Sequence, residues 1–253
     1  MSMPAQLLFH NVTLGYDRHP AVHHLSGEVG SGALLAVIGP NGAGKSTLLR
    51  GIAGILKPLS GAIGLCGLDH SDIAYLPQIA EIDRSFPISV FDFVSTGLWG
   101  TIGILGGLGR AARDKIAEAI AAVGLNGFEN RPIGTLSGGQ MQRLLFARVL
   151  LQDARLIVLD EPLNAIDAKT SKDLMVLISR WRDEGRTVLV ALHDLDMVRA
   201  NFPETLLLAR GPVAWGPTKE VLTPENLLVA MRMCEAFDDD AAACADDISP
   251  RAA

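Results

Sequence analysis

The sequence predicts an α/β fold: a mainly parallel sheet with helices on its faces, an antiparallel β-subdomain at the N-terminus and an inserted helical subdomain. Three observations predict it. Apolar runs of strand length at 33–38, 156–160 and 187–192 are continuous rather than alternating, as in strands buried on both faces. Helical patterns at 169–184 and 195–201 separate and follow the later runs, and strands alternating with helices build parallel sheets. A glycine-rich segment joins the first run directly to a helix.

Taken in order, residues 7–16 alternate loosely and read as a strand, with 22–29 as its neighbour across an Asp17-Arg18-His19-Pro20 turn. The central strand at 33–38 is followed by Gly39-Pro40-Asn41-Gly42-Ala43-Gly44-Lys45-Ser46-Thr47 and a helix over 46–56 that stops at Lys57-Pro58. Residues 73–77 form a short strand-like run leading into different territory. From about 81 to 151 there is little strand character, with a glycine-rich bend at 97–109. A helix at 111–123 within it carries Ile116, Ile120 and Val123 on one face. Beyond 235 the chain mixes Asp with Ala and ends in Ser-Pro-Arg-Ala-Ala, the composition of a disordered acidic tail. The expected organisation is one domain over 5–234, with the helical subdomain (about 81–151) inserted, and a tail over 235–253. No internal repeat is present.

Composition narrows the function classes. With 253 residues and 49% hydrophobic content the chain can bury a large core. A net charge of −6 argues against a nucleic-acid partner, which needs a basic surface. No apolar run approaches the length of a membrane span, and no basic segment precedes an apolar core as in a secretory signal. The cysteines, Cys66, Cys234 and Cys244, lack paired-ligand spacing, and an odd number fits a reducing compartment. A soluble cytosolic chain is expected, acting on a membrane only through a partner.

The chemistry sits in the segment from Gly39 to Thr47. Its glycines let backbone N–H groups converge on β- and γ-phosphate oxygens at a helix N-terminus. Lys45 adds a point charge there, and the Ser46 hydroxyl is placed to ligate Mg²⁺. Asp160 closes a buried strand, where a carboxylate can hold the metal through its water shell. Glu161 follows at once and can polarise an attacking water. Ser137 reads as the N-cap of a helix over 138–151, a second anion site whose glycines Gly138 and Gly139 permit close approach.

Leu136-Ser137-Gly138-Gly139-Gln140, one helix ahead of Leu156-Ile157-Val158-Leu159-Asp160-Glu161-Pro162, completes a set that resembles the ATP-binding subunit of an ABC transporter, over nearly the whole chain. The resemblance implies a P-loop NTPase core that binds ATP and Mg²⁺. It implies a head-to-tail homodimer formed with ATP, in which each LSGGQ covers the γ-phosphate held by the other subunit. Further implied roles are Gln78 as the Q-loop glutamine on Mg²⁺ or the attacking water, His193 as the switch histidine on the γ-phosphate, and Tyr16 as the ring stacked on adenine. Asn164-Ala165-Ile166-Asp167 occupies the D-loop position, where Asn164 and Ile166 depart from the usual pattern.

The run Ile82-Asp83-Arg84-Ser85-Phe86-Pro87-Ile88-Ser89-Val90-Phe91-Asp92, with Gly97-Leu98-Trp99-Gly100, is similar to the zinc and manganese importer ATPases. This implies membrane permease partners, an indirect link to a periplasmic or extracellular metal-binding protein, and a peripheral place on the cytoplasmic face of the cell membrane. Zinc is the favoured cargo over manganese. The alternatives are an ABC ATPase for haem, an iron chelate or an exported lipid, or a soluble ABC protein without a transport role. The last class carries tandem nucleotide units or long insertions, which this chain lacks. Metal sensing by His19, His23 and His24, or by Cys234 and Cys244 with the tail aspartates, is disfavoured because their spacing is not that of a closed site.

Overall fold

The computed structural model describes residues 4–17, 19–102, 107–164 and 166–235. In chain order the elements are β1 (Ala5–Tyr16), β2 (His19–Gly30), β3 (Leu34–Ile38), α1 (Lys45–Ile52), β4 (Ser60–Leu65), β5 (Ile73–Leu76), α2 (Val90–Ser95), α3 (Trp99–Ile102) and α4 (Arg110–Ala122). They continue as α5 (Gly138–Gln152), β6 (Leu156–Asp160), α6 (Ala168–Asp183), β7 (Thr187–Ala191), α7 (Leu195–Asn201), β8 (Glu204–Ala209), β9 (Gly211–Pro217), α8 (Thr218–Val221) and α9 (Pro224–Glu235). Two compact units share these elements, each assembled from separate stretches of chain: one from residues up to Gln6, Gly30–Leu34 and Gly67–Leu192, the other from Leu7–Val29, Leu35–Cys66 and the chain from His193 onward.

The first unit is built on β5, β6 and β7, paired in parallel in that order. Every residue of β6 and β7 is buried, which is why these segments read as unbroken apolar runs. Parallel neighbours need a long crossover. The one from β5 to β6 contains α2 to α5, and the one from β6 to β7 is α6. Ile116, Ile120 and Val123 are buried, as their shared helical face requires. Phe146 of α5 stacks on Trp181 of α6, with ring centroids 5.7 Å apart and planes 7° from parallel. The N–H of Val188 donates to the carbonyl of Ala33 at 2.8 Å, tying the chain just before β3 to β7.

In the second unit β2, β1 and β4 form a sheet in that order, with β1 and β4 antiparallel. There β3 pairs with β8 in parallel, and β8 turns back into β9 as an antiparallel hairpin. Phe9 meets Trp215 edge to face at 5.8 Å. This mixture of parallel and antiparallel strands with packed helices is the α/β class that the sequence predicts.

Three local expectations change. The first helix ends at Ile52 rather than continuing to residue 56, because Gly54 adopts φ +73° and the N–H groups of Ile55 and Leu56 both return to the carbonyl of Arg50. That is a left-handed glycine stop, which a run of apolar residues conceals. The expected bend over 97–109 begins later: Thr96–Leu98 is a 3₁₀ turn leading straight into α3. Gly97 is needed there for closeness, since a Cβ on it would lie 2.7 Å from the carbonyl oxygen of Arg148. The turn between the first strands is also shorter, because His19 and Pro20 already belong to β2. The expected tail from 236, with Cys244, lies outside the described residues, as do Arg18 and Ala165. Among the described residues no helix is long and apolar enough to cross a membrane.

Candidate nucleotide site

The second unit holds the phosphate-type loop, which runs from the end of β3 into α1. Gly44 is the N-cap of α1 at φ +94°, and a Cβ there would lie 2.5 Å from the carbonyl oxygen of Ala21. Gly42, at φ +78°, has nothing within 4 Å of where its Cβ would be, so a side chain there would meet no protein atom. No side chain caps α1, and its first turn carries no acidic residue. By contrast Ser137 caps α5, Asp167 caps α6 and Asp194 caps α7 through side-chain oxygens. A helix start with N–H donors and no side-chain acceptor suits an anion.

Lys45 is buried, and its Nζ donates to the carbonyls of Gly39 (2.9 Å) and Pro40 (3.2 Å). The loop therefore aims its own cation back across its mouth. His193, just before α7, shares a cavity of about 280 Å³ with Gly39, Pro40 and Asn41, backed by apolar side chains including Leu195 and Leu207. Within this unit the structure thus brings His193 to the start of the loop. Tyr16 ends β1 and is 44% exposed, and its hydroxyl accepts a 2.8 Å hydrogen bond from Arg50 of α1. An exposed ring face beside the loop helix leaves room for a flat ligand group.

The first unit holds the carboxylates. Asp160 is fully buried at the end of β6, and the hydroxyl of Tyr75 on β5 donates to its Oδ2 at 3.4 Å. Glu161 sits at φ +47°, a left-handed conformation that costs a non-glycine residue energy and turns the chain sharply off the strand. Asn164 closes this turn twice: its N–H reaches the Glu161 carbonyl at 3.2 Å, and its Nδ2 donates to Glu161 Oε2 at 3.2 Å. Gln78 follows β5 half-buried and starts a single 3₁₀ turn by accepting the N–H of Glu81 at 3.0 Å.

The start of α5 is a reciprocal cap. Gln140 N–H donates to Ser137 Oγ at 3.3 Å, and Ser137 N–H donates to Gln140 Oε1 at 2.9 Å. A Cβ on Gly138 would meet nothing within 4 Å, so the first glycine of the LSGGQ segment leaves the helix end open. On Gly139 it would lie 3.8 Å from Asp167 Oδ2. Asp167 accepts from the Thr170 N–H (2.9 Å) and its hydroxyl (2.7 Å), and these bonds hold its carboxyl below the ordinary aspartate value. The LSGGQ glycines and the D-loop aspartate are therefore neighbours within one unit.

Tyr75, Thr170 and Arg84 escape sequence reasoning. Their partners Asp160, Asp167 and Leu136 are set by strand pairing, by helix capping and by a loop crossing respectively. Only the Asp167/Thr170 spacing of a helix cap was a usable local signal. Each unit carries groups whose chemistry suits part of a magnesium nucleotide: in the second, an uncapped helix start with a lysine for phosphate and the Ser46 hydroxyl as an oxygen donor; in the first, the Asp160 carboxylate as a donor suited to a hard dication.

Comparison with known proteins bears on the same segments. The family model for the ABC transporter matches residues 22–164. The chain is 41% identical to the manganese transport system ATP-binding protein MntB of Bacillus subtilis, over 86% of this chain and 88% of that protein. It is 39% identical to the zinc transport system ATP-binding protein TroB of Treponema pallidum, over 85% and 82%. Among solved structures, a transporter described as metal-chelate type ABC, in an inward-facing conformation, superposes with a TM-score of 0.80 at 30% identity, covering 90% of each chain. The dimeric cassette of a bacterial ABC transporter superposes with a TM-score of 0.73 at 25% identity, over 84% of this chain and 98% of the other.

Proposed function

Because this chain belongs to the ABC transporter family and is an ATP-binding, ATP-hydrolysing cassette, we propose that it powers uptake of a transition-metal dication through a membrane permease. The observation that carries the cargo class is the near full-length similarity to manganese and zinc transport ATPases. Zinc is the cargo favoured by the run from Ile82 to Asp92. The relatives name both metals, so the test below is built to separate them.

In this reading the N–H groups of the loop from Gly39 to Thr47, with Lys45, hold the β- and γ-phosphates of ATP, and Tyr16 stacks on the adenine. Ser46, Asp160 and Gln78 hold Mg²⁺, which when bound neutralises charge on the phosphates. Glu161 orients and polarises the attacking water. Its left-handed backbone turns the chain at the end of the strand, and Asn164 steadies its carboxylate by donating to Oε2. His193 donates to the γ-phosphate from its place beside Gly39 and Asn41.

Ser137, Gly138, Gly139 and Gln140 serve the nucleotide of a second copy, so hydrolysis requires an ATP-dependent homodimer. The dimeric form of a similar cassette supports this. The dimer acts at the cytoplasmic face of the membrane, bound to permease subunits that receive metal from an extracytoplasmic binding protein.

The test is co-purification with a permease of the same transporter family, then an ATPase assay in liposomes with zinc-loaded or manganese-loaded binding protein. Stimulation by one loaded form identifies the cargo. A stable complex that neither metal stimulates keeps the motor and removes the metal assignment.

A further inference from the structure

Arg84 lies in the long connection between β5 and α2, and that connection is zipped along the segment that leads into LSGGQ. Ile133 N–H donates to Ile88 O at 3.0 Å, Val90 N–H to Arg131 O at 2.9 Å, and Phe91 N–H to Glu129 O at 2.9 Å. The approach is tight at Gly134, where a Cβ would lie 2.7 Å from the carbonyl oxygen of Arg84. The Nη2 of Arg84 then donates to the carbonyl of Leu136, the residue before the N-cap Ser137. Arg84 lines a cavity of about 250 Å³ together with Ile79, Ile82, Gly138, Asn164 and Ile166. One arginine therefore bonds the residue before the LSGGQ helix and, within a single unit, shares a cavity with the segment after Gln78 and with Asn164 and Ile166.

The electrostatics of this placement are informative. A cation beside a helix N-terminus opposes the helix dipole and is unfavourable by itself. No carboxylate among the described residues pairs with Arg84, and its Nε is buried without a partner. The adjacent Asp83 is turned away, accepting from the Ser85 N–H (2.9 Å) and hydroxyl (2.6 Å). Positive charge is thus concentrated at the start of α5, an arrangement that improves when an anion arrives.

We infer that Arg84 is a positioning residue for the LSGGQ helix. It fixes the Leu136 carbonyl so that Ser137 and Gly138 face the γ-phosphate of a second copy, and it adds long-range attraction for that phosphate. The inference rests on the proposed role of LSGGQ. It predicts a defect in ATP-driven dimerisation without a defect in the subunit's own ATP binding, since the loop from Gly39 to Thr47 is untouched.

The experiment uses the full chain carrying Glu161→Gln, with and without Arg84→Met, Arg84→Lys or Ser137→Arg. MgATP affinity is measured at low protein concentration, dimerisation by sedimentation with saturating MgATP, and folding by thermal unfolding. Arg84→Met should raise the dimer dissociation constant about tenfold or more, about 1.4 kcal/mol, while MgATP affinity stays within about twofold. Arg84→Lys, which keeps the charge and loses the planar fork, should recover part of the loss. Dimerisation of both arginine variants at the parental level, with Ser137→Arg defective, overturns the role of Arg84 alone. Parental dimerisation by Ser137→Arg as well removes the LSGGQ reading and the inference with it. A parallel loss of folding, MgATP affinity and dimerisation in Arg84→Met, without recovery in Arg84→Lys, assigns the arginine to structure only and also overturns the inference.

Discussion

The loop glycines offer a test in which two chemically identical substitutions should behave differently. Gly42 and Gly44 both have positive φ, +78° and +94°. An alanine at either pays the left-handed penalty of about 1–2 kcal/mol, offset by about 0.4–1 kcal/mol from stiffening the unfolded chain. At Gly42 nothing more is added, because no atom lies within 4 Å of the new methyl. At Gly44 the methyl would sit 2.5 Å from Ala21 O and 2.6 Å from Val22 Cγ2, so β2 must move, at an overpacking cost of about 1–3 kcal/mol. In a chain of this size each kcal/mol lowers Tm by about 2–4 °C. Gly42→Ala should therefore lose only a few degrees and Gly44→Ala at least twice as much. Ligand binding should separate them further. On the proposed reading of this loop as the phosphate cradle, phosphate oxygens approach the open space at Gly42, so Gly42→Ala should weaken ATP binding by about tenfold or more while remaining folded. Calorimetric titration with MgATP and thermal unfolding give both readouts. Parental ATP affinity in a folded Gly42→Ala variant would refute the assignment of that space to the phosphates. Equal Tm losses for the two variants would refute the steric argument.

Glu161→Gln should bind MgATP and dimerise, yet turn over at least about a hundredfold more slowly, as loss of a group that handles the attacking water implies; brisk steady-state hydrolysis removes Glu161 from that role. Phe146→Ala takes away the ring stacked on Trp181 and should cost about 3–5 kcal/mol, read as a lowered urea midpoint with little change in slope; a loss below 1 kcal/mol, about a third of the smallest cost expected, would mean the site collapses freely. Thr170→Val deletes a hydroxyl bond to Asp167, whose carboxyl is held below the ordinary aspartate value first by the Thr170 N–H and then by that hydroxyl. Because the folded value is the lower one, the stability Asp167 confers is present above the unfolded aspartate range and is lost as pH falls through the folded value. In Thr170→Val that loss should begin at higher pH, with the carboxyl ¹³C titration moved upward; an unmoved titration counts against the bond.

What was legible in the sequence is what local spacing encodes. The runs at 156–160 and 187–192 read as buried strands because, Asp160 and Thr187 apart, every residue in them is apolar. The cap at Ser137 follows from a serine at a helix start, and the face of Ile116, Ile120 and Val123 from helical periodicity. The stop at Gly54 was not legible, because a glycine within an apolar stretch can be tolerated or can terminate, and its φ decides. Nor was Gly97, whose absent side chain answers to Arg148, or Arg84, whose partner is Leu136. These residues are determined by chain crossings, and a crossing leaves no periodic trace. Asn164 falls between the two. Its departure from the usual pattern was visible, while its bond to Glu161 was not.

The two helix starts in this chain explain why the proposed assembly should be conditional on ATP. At α1 no side chain competes for the end of the helix, and Lys45 stands over the loop. A phosphate there gains charge-assisted bonds together with the helix dipole. At α5 the reciprocal Ser137–Gln140 cap already satisfies two backbone donors, so an incoming phosphate finds fewer N–H groups and no lysine within the LSGGQ segment. In the proposed mechanism the first site binds nucleotide in a single subunit, while the second, with two donors already taken by its cap, adds a weaker contact. It contributes only once the nucleotide is presented by another copy at high effective concentration. In that proposal the weaker contact is to the γ-phosphate, the group that hydrolysis removes. Its loss separates the copies while each still holds ADP through the stronger site. A motor needs that order of events, and it follows from one helix being capped and the other not.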